Sequence, residues 1–228
     1  MKYTLTLFAL ALATAAQGAI VQPQMGGAQV TMMQAGMKHA DIDFDGSSLS
    51  IHLDETVPTP VLRPLDEGDS FDPSAPWSVL EGKAYNFQYA WTPASIWAPP
   101  SSLAVFVEQI SATPGLKAYD RSRASMVDQP TYAPIFENGE PLRWNGMMTH
   151  NVYAVANPTL SRYEASYRVY LADELTGVEP TDTMGAPLYG SATTTWTFLA
   201  TPVPEPTTIA LGMIAMTSAT LRIGGRRA

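Results

Sequence analysis

The sequence predicts an all-β protein whose main domain is an antiparallel β-sandwich or a jelly-roll-like fold. Side chains in residues 83–91 and 163–171 alternate with a period of two, which places every second one on the same face of a strand. Residues 193–199 are rich in threonine and also hold Trp196 and Phe198, and such residues favour strands. The side chains expected on one face are Tyr85, Phe87, Tyr89 and Trp91 in the first segment, and Tyr163, Ala165, Tyr167, Val169 and Leu171 in the second.

Further strands are expected elsewhere in the central region. Residues 103–110 form an almost continuous apolar run, and we also expect strands near residues 30–33 and 150–156. Proline and glycine separate these segments, so about eight to ten short strands fit a single sandwich. Residues 58–76 and 119–148 are expected to be long loops, which often carry function.

Residues 1–18 are predicted to be a secretory signal peptide that is helical before its removal. Lys2 supplies the positive charge, and residues 5–16 are apolar but too short for a stable membrane span. The tripeptide Ala16-Gln17-Gly18 fits a small-x-small cleavage site, so we place cleavage after Gly18, with Ala19 as the alternative. The domain that remains, residues 19–201, is long enough for one sizeable core.

The end of the chain has three parts in a fixed order. Residues 202–206 contain Pro204, Glu205 and Pro206, and the two prolines hold this segment extended and exposed. Residues 207–223 are apolar and just long enough to cross a bilayer as a transmembrane helix. Residues 224–228 are basic and are expected to stay in the cytoplasm. The basic residues at the end of the span and beyond it are Arg222, Arg226 and Arg227.

This order of Pro204-Glu205-Pro206, apolar run and terminal arginines resembles the PEP-CTERM sorting signal. That signal occurs on exported proteins of Gram-negative bacteria that make extracellular polysaccharide. The resemblance implies processing by an exosortase after a signal peptidase has removed the leader. It also implies a precursor held at the inner membrane and a final place in the cell envelope, on the cell surface or in the extracellular matrix. It implies nothing about what residues 19–201 bind.

Composition narrows the partners of this domain. The chain has a formal net charge of −8, and the predicted signal and tail hold more basic than acidic residues, so the domain alone is more acidic still. An acidic surface disfavours nucleic acid, and no nucleic-acid partner is expected. The chain has no cysteine, which excludes disulfides, thiol chemistry and cysteine-ligated metals.

The most ordered polar pattern lies between residues 38 and 54. Two alternating segments flank Asp45 and Gly46, and they predict a hairpin with one apolar face and one face of histidines and carboxylates. A two-residue loop would place His39 opposite His52. A four-residue loop would instead place Asp41 opposite His52, and His39 opposite Asp54.

Three interpretations of this polar face stay open. The first is a solvated outer face that is polar because it meets water. The second is a transition-metal site, zinc above all, in which His39, His52 and an aspartate are joined by the distant His150. The third is calcium, because Asp41-x-Asp43-x-Asp45-Gly46 matches the opening of a calcium loop, although His52 stands where the loop needs a glutamate.

A weaker resemblance bears on the metal hypothesis. The string His39-Ala40-Asp41-Ile42, followed by Leu49-Ser50-Ile51-His52, resembles the opening of a set of surface-anchored bacterial proteins, some of which are under zinc-dependent control. The resemblance implies four ligands in this sequence: His39, Asp41, His52 and His150. The second histidine that the pattern expects after His52 is replaced by Asp54.

Catalysis has little support in the sequence. It contains no Gly-x-Ser-x-Gly, no His-Glu-x-x-His and no phosphate-binding glycine loop. We therefore expect a non-enzymatic cell-surface or extracellular-matrix protein, with divalent-metal binding as one version of its role. A hydrolase is a minor alternative, because a glycosidase needs only two carboxylates.

A carbohydrate-binding module is the main alternative, with exopolysaccharide as the expected ligand. Four tryptophans lie in or near loops rich in proline and glycine, where exposed rings can stack on sugars: Trp77, Trp91, Trp97 and Trp144. Tryptophans at strand ends more often close the core of a sandwich. Trp97 is expected to be the most exposed of the four, because Ile96, Ala98 and two prolines flank it.

Overall fold

The computed structural model describes residues 18–121 and 130–202, which are mostly strands with almost no helix. The all-β prediction is therefore confirmed. The described residues contain one α-helix, α1 (Met32–Ala35), two 3₁₀ helices (Pro76–Leu80 and Glu137–Gly139), and the strands β1 (Ile20–Val21), β2 (Lys38–Phe44), β3 (Leu49–Leu53), β4 (Val61–Leu62), β5 (Ser70–Phe71), β6 (Lys83–Asn86), β7 (Tyr89–Pro93), β8 (Leu103–Ala112), β9 (Lys117–Tyr119), β10 (Pro134–Ile135), β11 (Leu142–Trp144), β12 (Val152–Ala156), β13 (Arg162–Asp173) and β14 (Ala192–Ala200).

The predicted signal peptide and C-terminal tail fall almost wholly on residues 1–17 and 203–228, which lie outside the described residues. The sorting motif, the apolar run and the terminal arginines therefore stay predictions. In the part of the chain that the structure describes, no helix has the length and apolar character needed to cross a membrane.

A five-stranded sheet with the order β11-β8-β13-β14-β4 forms one wall of the protein. Its central strand, β13, is antiparallel to both β8 and β14. The alternation predicted for residues 163–171 is confirmed, since the five side chains expected on one face are all buried in the main core. The other face of β13 carries Glu164, Ser166 and Arg168, which meet solvent at least in part.

The other strands form a three-stranded sheet, β3-β2-β7, a four-stranded sheet, β10-β9-β12-β6, and a parallel pair, β1-β5. Two residues, Phe87 and Gln88, separate β6 from β7. Asn86 stabilises this break, because its Oδ1 accepts a hydrogen bond from the Gln88 N–H at 2.8 Å and its Nδ2 donates to Gln88 Oε1 at 2.7 Å. The break shifts the alternation. The prediction of one shared aromatic face in residues 83–91 is wrong, because Tyr85 and Phe87 pack in a different cluster from Tyr89 and Trp91.

The main core is centred on the indole ring of Trp196, which is 0% exposed. That ring stacks on Tyr89, with centroids 4.5 Å apart and planes 6° apart, and contacts Trp91 at 4.3 Å. Tyr153 and Tyr167 contact it at 5.4 Å and 5.1 Å. Aromatic side chains bury roughly 150–250 Å² each, so this cluster contributes a large share of the apolar burial that holds the sheets together.

A second, smaller core covers the other face of β6, β9 and β12. It is built largely by segments that come before β6 and after β9, and its members are Met25, Phe71, Leu80, Tyr85, Phe87, Tyr119, Tyr132, Val152 and Ala154. The two regions predicted as long loops contain short strands: β4 and β5 in residues 58–76, and β10 and β11 in residues 119–148.

The strand predicted near residues 30–33 is wrong. A turn ends there and the short helix α1 begins. Thr31 lies at the N-cap, and its backbone N–H donates to Oε1 of Gln34 at 2.8 Å. A threonine followed three residues later by glutamine is a signal for a helix start, and it outweighs the β-branched residues in this segment.

The edge of β14 beyond β4 is partly closed by a tyrosine. β4 pairs only with Leu199 and Ala200 of β14. The next residue of β14 whose backbone groups point toward this edge is Thr197. Its N–H donates to the hydroxyl of Tyr89, and that hydroxyl donates to the Thr197 carbonyl, both at 3.1 Å. The side chain therefore takes the place of a neighbouring strand at this residue.

The long strand β13 defines two ends of the protein. Its first residue, Arg162, pairs with Leu199 near the end of β14, and its last residue, Asp173, pairs with Leu103 at the start of β8. A strand of this length rises about 35 Å at roughly 3.3 Å per residue. We call the end that holds Pro202 the tail end, and the end that holds the start of β8 the far end.

Candidate functional site

The structure selects the four-residue loop for the hairpin of β2 and β3. Asp41 pairs with His52, and the backbone N–H of Asp54 donates to the carbonyl of His39 at 2.9 Å. The polar and apolar side chains fall on opposite faces, as predicted, with Ala40 and Ile42 fully buried.

Asp45 holds this loop in shape. Its Oδ1 accepts hydrogen bonds from the backbone N–H groups of Ser47 and Ser48 and from the Ser47 hydroxyl, each at 2.8 Å. The bonds from Ser47 and Ser48 hold the pKa of Asp45 below its ordinary value. The carboxylate is thus committed to the turn, which explains an Asp-Gly pair here without a calcium ion.

The strand β7 runs between the segment that carries His39 and the segment that carries His150. His39 pairs with Ala90 of β7, and the next residue of β7, Trp91, bridges to Thr149. The side chain of His52 is exposed, whereas His39 and His150 are half-buried. Asp41 and His52 are therefore brought together, and His150 is held apart from them.

The ring of His150 is committed to the fold. Its Nδ1–H donates to the carbonyl of Phe87 at 2.9 Å, and this bond ties the segment just before β12 to the break between β6 and β7. Burial lowers the pKa of His150, and the charges of Arg121 and His39 lower it further. The neutral ring is thus the form that the folded protein favours.

The predicted metal ligands do not form a metal site in this structure. Within residues 18–121 and 130–202, no group of three or more histidine, aspartate or glutamate side chains is placed to hold a metal ion. The predicted set of His39, Asp41, His52 and His150 lies wholly in this part of the chain. Strand pairing explains the result, because it places Asp41 beside His52 but puts a full strand between His39 and His150.

A cleft of about 600 Å³ lies at the far end of the protein. It is formed where four segments meet: the end of β7 with the following loop, the start of β8, the end of β11, and the turn after β13. Its volume falls within the roughly 300–1,000 Å³ typical of small-molecule sites. The residues that line it are Pro93, Trp97, Ala98, Pro99, Leu103, Ala104, Val105, Arg143, Trp144, Asn145, Gly146 and Glu174.

Trp97 lies in the wall of this cleft and is half-buried. Its ring packs against Phe44 with centroids 5.7 Å apart, and its Nε1–H donates to the carbonyl of Ile42 at 3.1 Å. The hydrogen bond and the ring contact fix its orientation. The fully exposed side chain in this loop is the preceding Ile96.

The other tryptophans are less available to a ligand. Trp91 and Trp196 are fully buried in the main core, and Trp144 is 4% exposed, with its Nε1–H donating to the carbonyl of Met147 at 2.8 Å. Trp77 is half-buried and contacts Tyr132 at 6.3 Å. Trp97 is thus the tryptophan that combines partial exposure with a position in a cleft.

An ion pair forms the polar side of the cleft. Nη2 of Arg143 lies 3.0 Å from Oε2 of Glu174, and both side chains are about half exposed. Asn145, next to Trp144, adds an amide whose Oδ1 accepts a hydrogen bond from the Met147 N–H at 3.0 Å. Sequence reasoning missed Arg143 and Glu174, because they belong to segments 31 residues apart that meet only in the folded protein.

Comparison with known proteins assigns no relative. No family model matches the chain, and neither the curated proteins nor the solved structures give a significant match.

Proposed function

We propose that this protein is an exported, non-enzymatic component of the cell surface or extracellular matrix, sorted through its C-terminal PEP-CTERM-like tail. In this proposal an exosortase processes the chain near Pro204-Glu205-Pro206, and residues 19–201 form a β-sandwich that remains outside the membrane. The order of motif, apolar run and terminal arginines carries the proposal.

The position of the last strand supports this division of the chain. β14 ends at Ala200, two residues before Pro202, and its residues 192–199 pair with β13. The described members of the main core also end at Ala200, and the predicted tail begins at Pro202.

A hydrolase is not supported by the cleft. Among the described residues that line it, Glu174 is the only carboxylate, and a glycosidase needs a pair. Divalent-metal binding has no support from the described residues, in which no group of three or more histidine, aspartate or glutamate side chains is placed to hold a metal ion.

Processing of the tail tests the proposal. We would express the full chain in a Gram-negative bacterium that has an exosortase, fractionate the cells and identify the terminal peptides by mass spectrometry. The expected result is loss of residues 1–18 and of the tail in the wild type. A triple Pro204→Ala, Glu205→Ala, Pro206→Ala variant should accumulate at the inner membrane with its tail intact.

A matched control is Pro58→Ala, which changes an exposed proline elsewhere in the chain and should be processed like the wild type. Equal processing of the triple variant and the wild type would contradict the proposal. So would a wild-type protein that keeps residues 1–18 and stays in the cytoplasm.

A further inference from the structure

We propose that the far-end cleft binds a segment of a neutral glycan chain, with Trp97 as the stacking surface and Arg143, Asn145 and Glu174 as hydrogen-bonding groups. This inference does not depend on tail processing, since binding is a property of the purified protein. In this proposal Trp97 acts within a cleft that also contains polar side chains, and not as the isolated exposed ring expected from the sequence.

The wall of the cleft suits the carbon face of a sugar ring. Trp97 shares it with two prolines and with apolar residues at the start of β8, so one side of a bound chain would lose contact with water. The ring of Trp97 is already oriented by its bond to Ile42 and its contact with Phe44. A preoriented ring loses little conformational entropy when it stacks on a ligand.

The polar groups suit hydroxyls. An arginine guanidinium has five N–H donors, and one contact with Glu174 leaves others free to donate to sugar oxygens. The carboxylate of Glu174 keeps lone pairs that can accept hydrogen bonds from sugar hydroxyls. The cleft therefore offers donors and acceptors side by side, which is what a hydroxyl group needs, since it both donates and accepts.

The charge balance selects a neutral glycan over an acidic one. Glu174 offsets the charge of Arg143 at 3.0 Å, so the described residues that line the cleft leave no uncompensated cation for a uronate or a sulfate. The chain as a whole carries a net charge of −8, which repels polyanions. An acidic polysaccharide would thus have to approach against the field of the protein and break this ion pair.

Access to the cleft is consistent with a polymeric ligand. The cleft lies at the far end, about 35 Å along β13 from the tail end, by the rise of a strand. Its lining residues come from the ends of strands and from loops, so it is open at that end of the protein. A long chain can cross such a cleft without its own ends having to enter it.

The test is a titration of the full chain, purified in a detergent without sugar groups, by isothermal calorimetry. The probes are three neutral hexasaccharides (cellohexaose, mannohexaose and maltohexaose) and one acidic hexasaccharide, hexagalacturonate. We expect at least one neutral probe to bind and hexagalacturonate to bind about tenfold more weakly or not at all. Trp97→Ala should weaken binding of the neutral probe by about tenfold, in line with the loss of one aromatic stack.

Three further variants keep the result interpretable if Trp97→Ala fails to fold. Arg143→Gln changes an exposed side chain and should weaken binding about threefold to tenfold through the loss of charged donors. Arg162→Gln breaks a similarly exposed ion pair with Glu164 at the tail end and should bind like the wild type. Trp77→Ala is the aromatic control outside the cleft.

Three results would overturn the inference. One is the absence of binding to all three neutral probes by the folded wild type. Another is unchanged affinity in Arg143→Gln together with unchanged affinity in Trp97→Ala, or unchanged affinity in Arg143→Gln alone if Trp97→Ala does not fold. The last is binding of hexagalacturonate as tight as that of the best neutral probe.

Discussion

Replacing Trp196 with alanine should destabilise the protein more than any other single tryptophan truncation. Trp196 is fully buried and lies at the centre of the aromatic cluster, where its ring meets four others. Its four neighbours are held by three strands, β7, β12 and β13, so they cannot collapse easily into the space that the indole would leave. The substitution therefore removes contacts and also leaves a cavity.

The magnitude follows from the buried area. A buried indole removes about 200 Å² from water, which is worth about 5 kcal/mol at roughly 25 cal/mol per Å². The remaining alanine keeps part of this, and measured Trp-to-Ala losses are about 3–5 kcal/mol. For a domain of this size, that loss lowers Tm by about 10 °C.

Trp196→Phe gives a sharper version of the same test. The Nε1–H of Trp196 is buried and has no hydrogen-bond partner among the residues that the structure describes. A buried donor without a partner costs about 1–3 kcal/mol, and phenylalanine removes it. The phenylalanine variant should therefore lose only about 1–2 kcal/mol, because this gain offsets part of the smaller ring's loss.

The assay is thermal unfolding followed by far-ultraviolet circular dichroism, since tryptophan fluorescence would itself be changed by the substitutions. Trp77→Ala is the control, because Trp77 is half-buried and lies outside the main core. A drop in Tm for Trp196→Ala no larger than that of Trp77→Ala would refute the role assigned to the aromatic cluster. So would a Trp196→Phe variant as unstable as Trp196→Ala.

Two further effects on stability are expected. Burial lowers the pKa of His150, so as the pH falls below 6.5 the imidazole is protonated in the unfolded chain before it is protonated in the folded protein. Tm should therefore fall from pH 7.5 to 5.5, and it should fall less in His150→Asn. An equal fall of Tm in the wild type and in His150→Asn would contradict the assignment. Lys38 is 2% exposed, and its ammonium donates to two backbone carbonyls at 2.7 Å and to Glu55 at 3.1 Å. In urea unfolding, Lys38→Met should lower the free energy of unfolding by about 2–3 kcal/mol, and Glu55→Gln by less than about 1 kcal/mol, because Glu55 is 77% exposed. Equal losses in the two variants would show that the ion pair, and not the bonds to the backbone carbonyls, carries the effect.

The strands were predictable where one alternating pattern continues without a break. Residues 163–171 and 193–199 follow such a pattern, and both lie in long strands of the five-stranded sheet. Residues 83–91 have the same pattern but do not form one strand, because Asn86 and Gln88 stabilise a break through their own side chains. Hydrophobic periodicity does not contain that information, since both residues look like ordinary outward-facing positions.

The hairpin shows how much a local signal can decide. Both loop lengths considered from the sequence keep the apolar side chains together, so the pattern alone could not choose between them. The choice rests on Asp45, whose carboxylate binds two backbone N–H groups of the loop. The metal hypothesis depended on His150 as well. The parallel pairing of β2 with β7 separates His150 from the hairpin, and no short sequence motif predicts that pairing.

The far-end cleft was predictable only in part. Trp97 stands out in the sequence because it lies in a loop between prolines. Arg143 and Glu174 do not stand out, since each is one of many charged residues and neither belongs to a motif. They meet because β11 and β13 both pair with β8, a long-range arrangement that comes from the whole sheet.

The contact between Tyr89 and Thr197 has a consequence for crowded surroundings. An open strand edge is a template on which a second copy of a protein can pair, and that pairing leads to aggregation. Here a single hydroxyl uses both backbone groups of Thr197, just where β4 stops covering β14. At high concentration, where copies of the protein meet often, this tyrosine makes the edge a poor place for a second copy to pair.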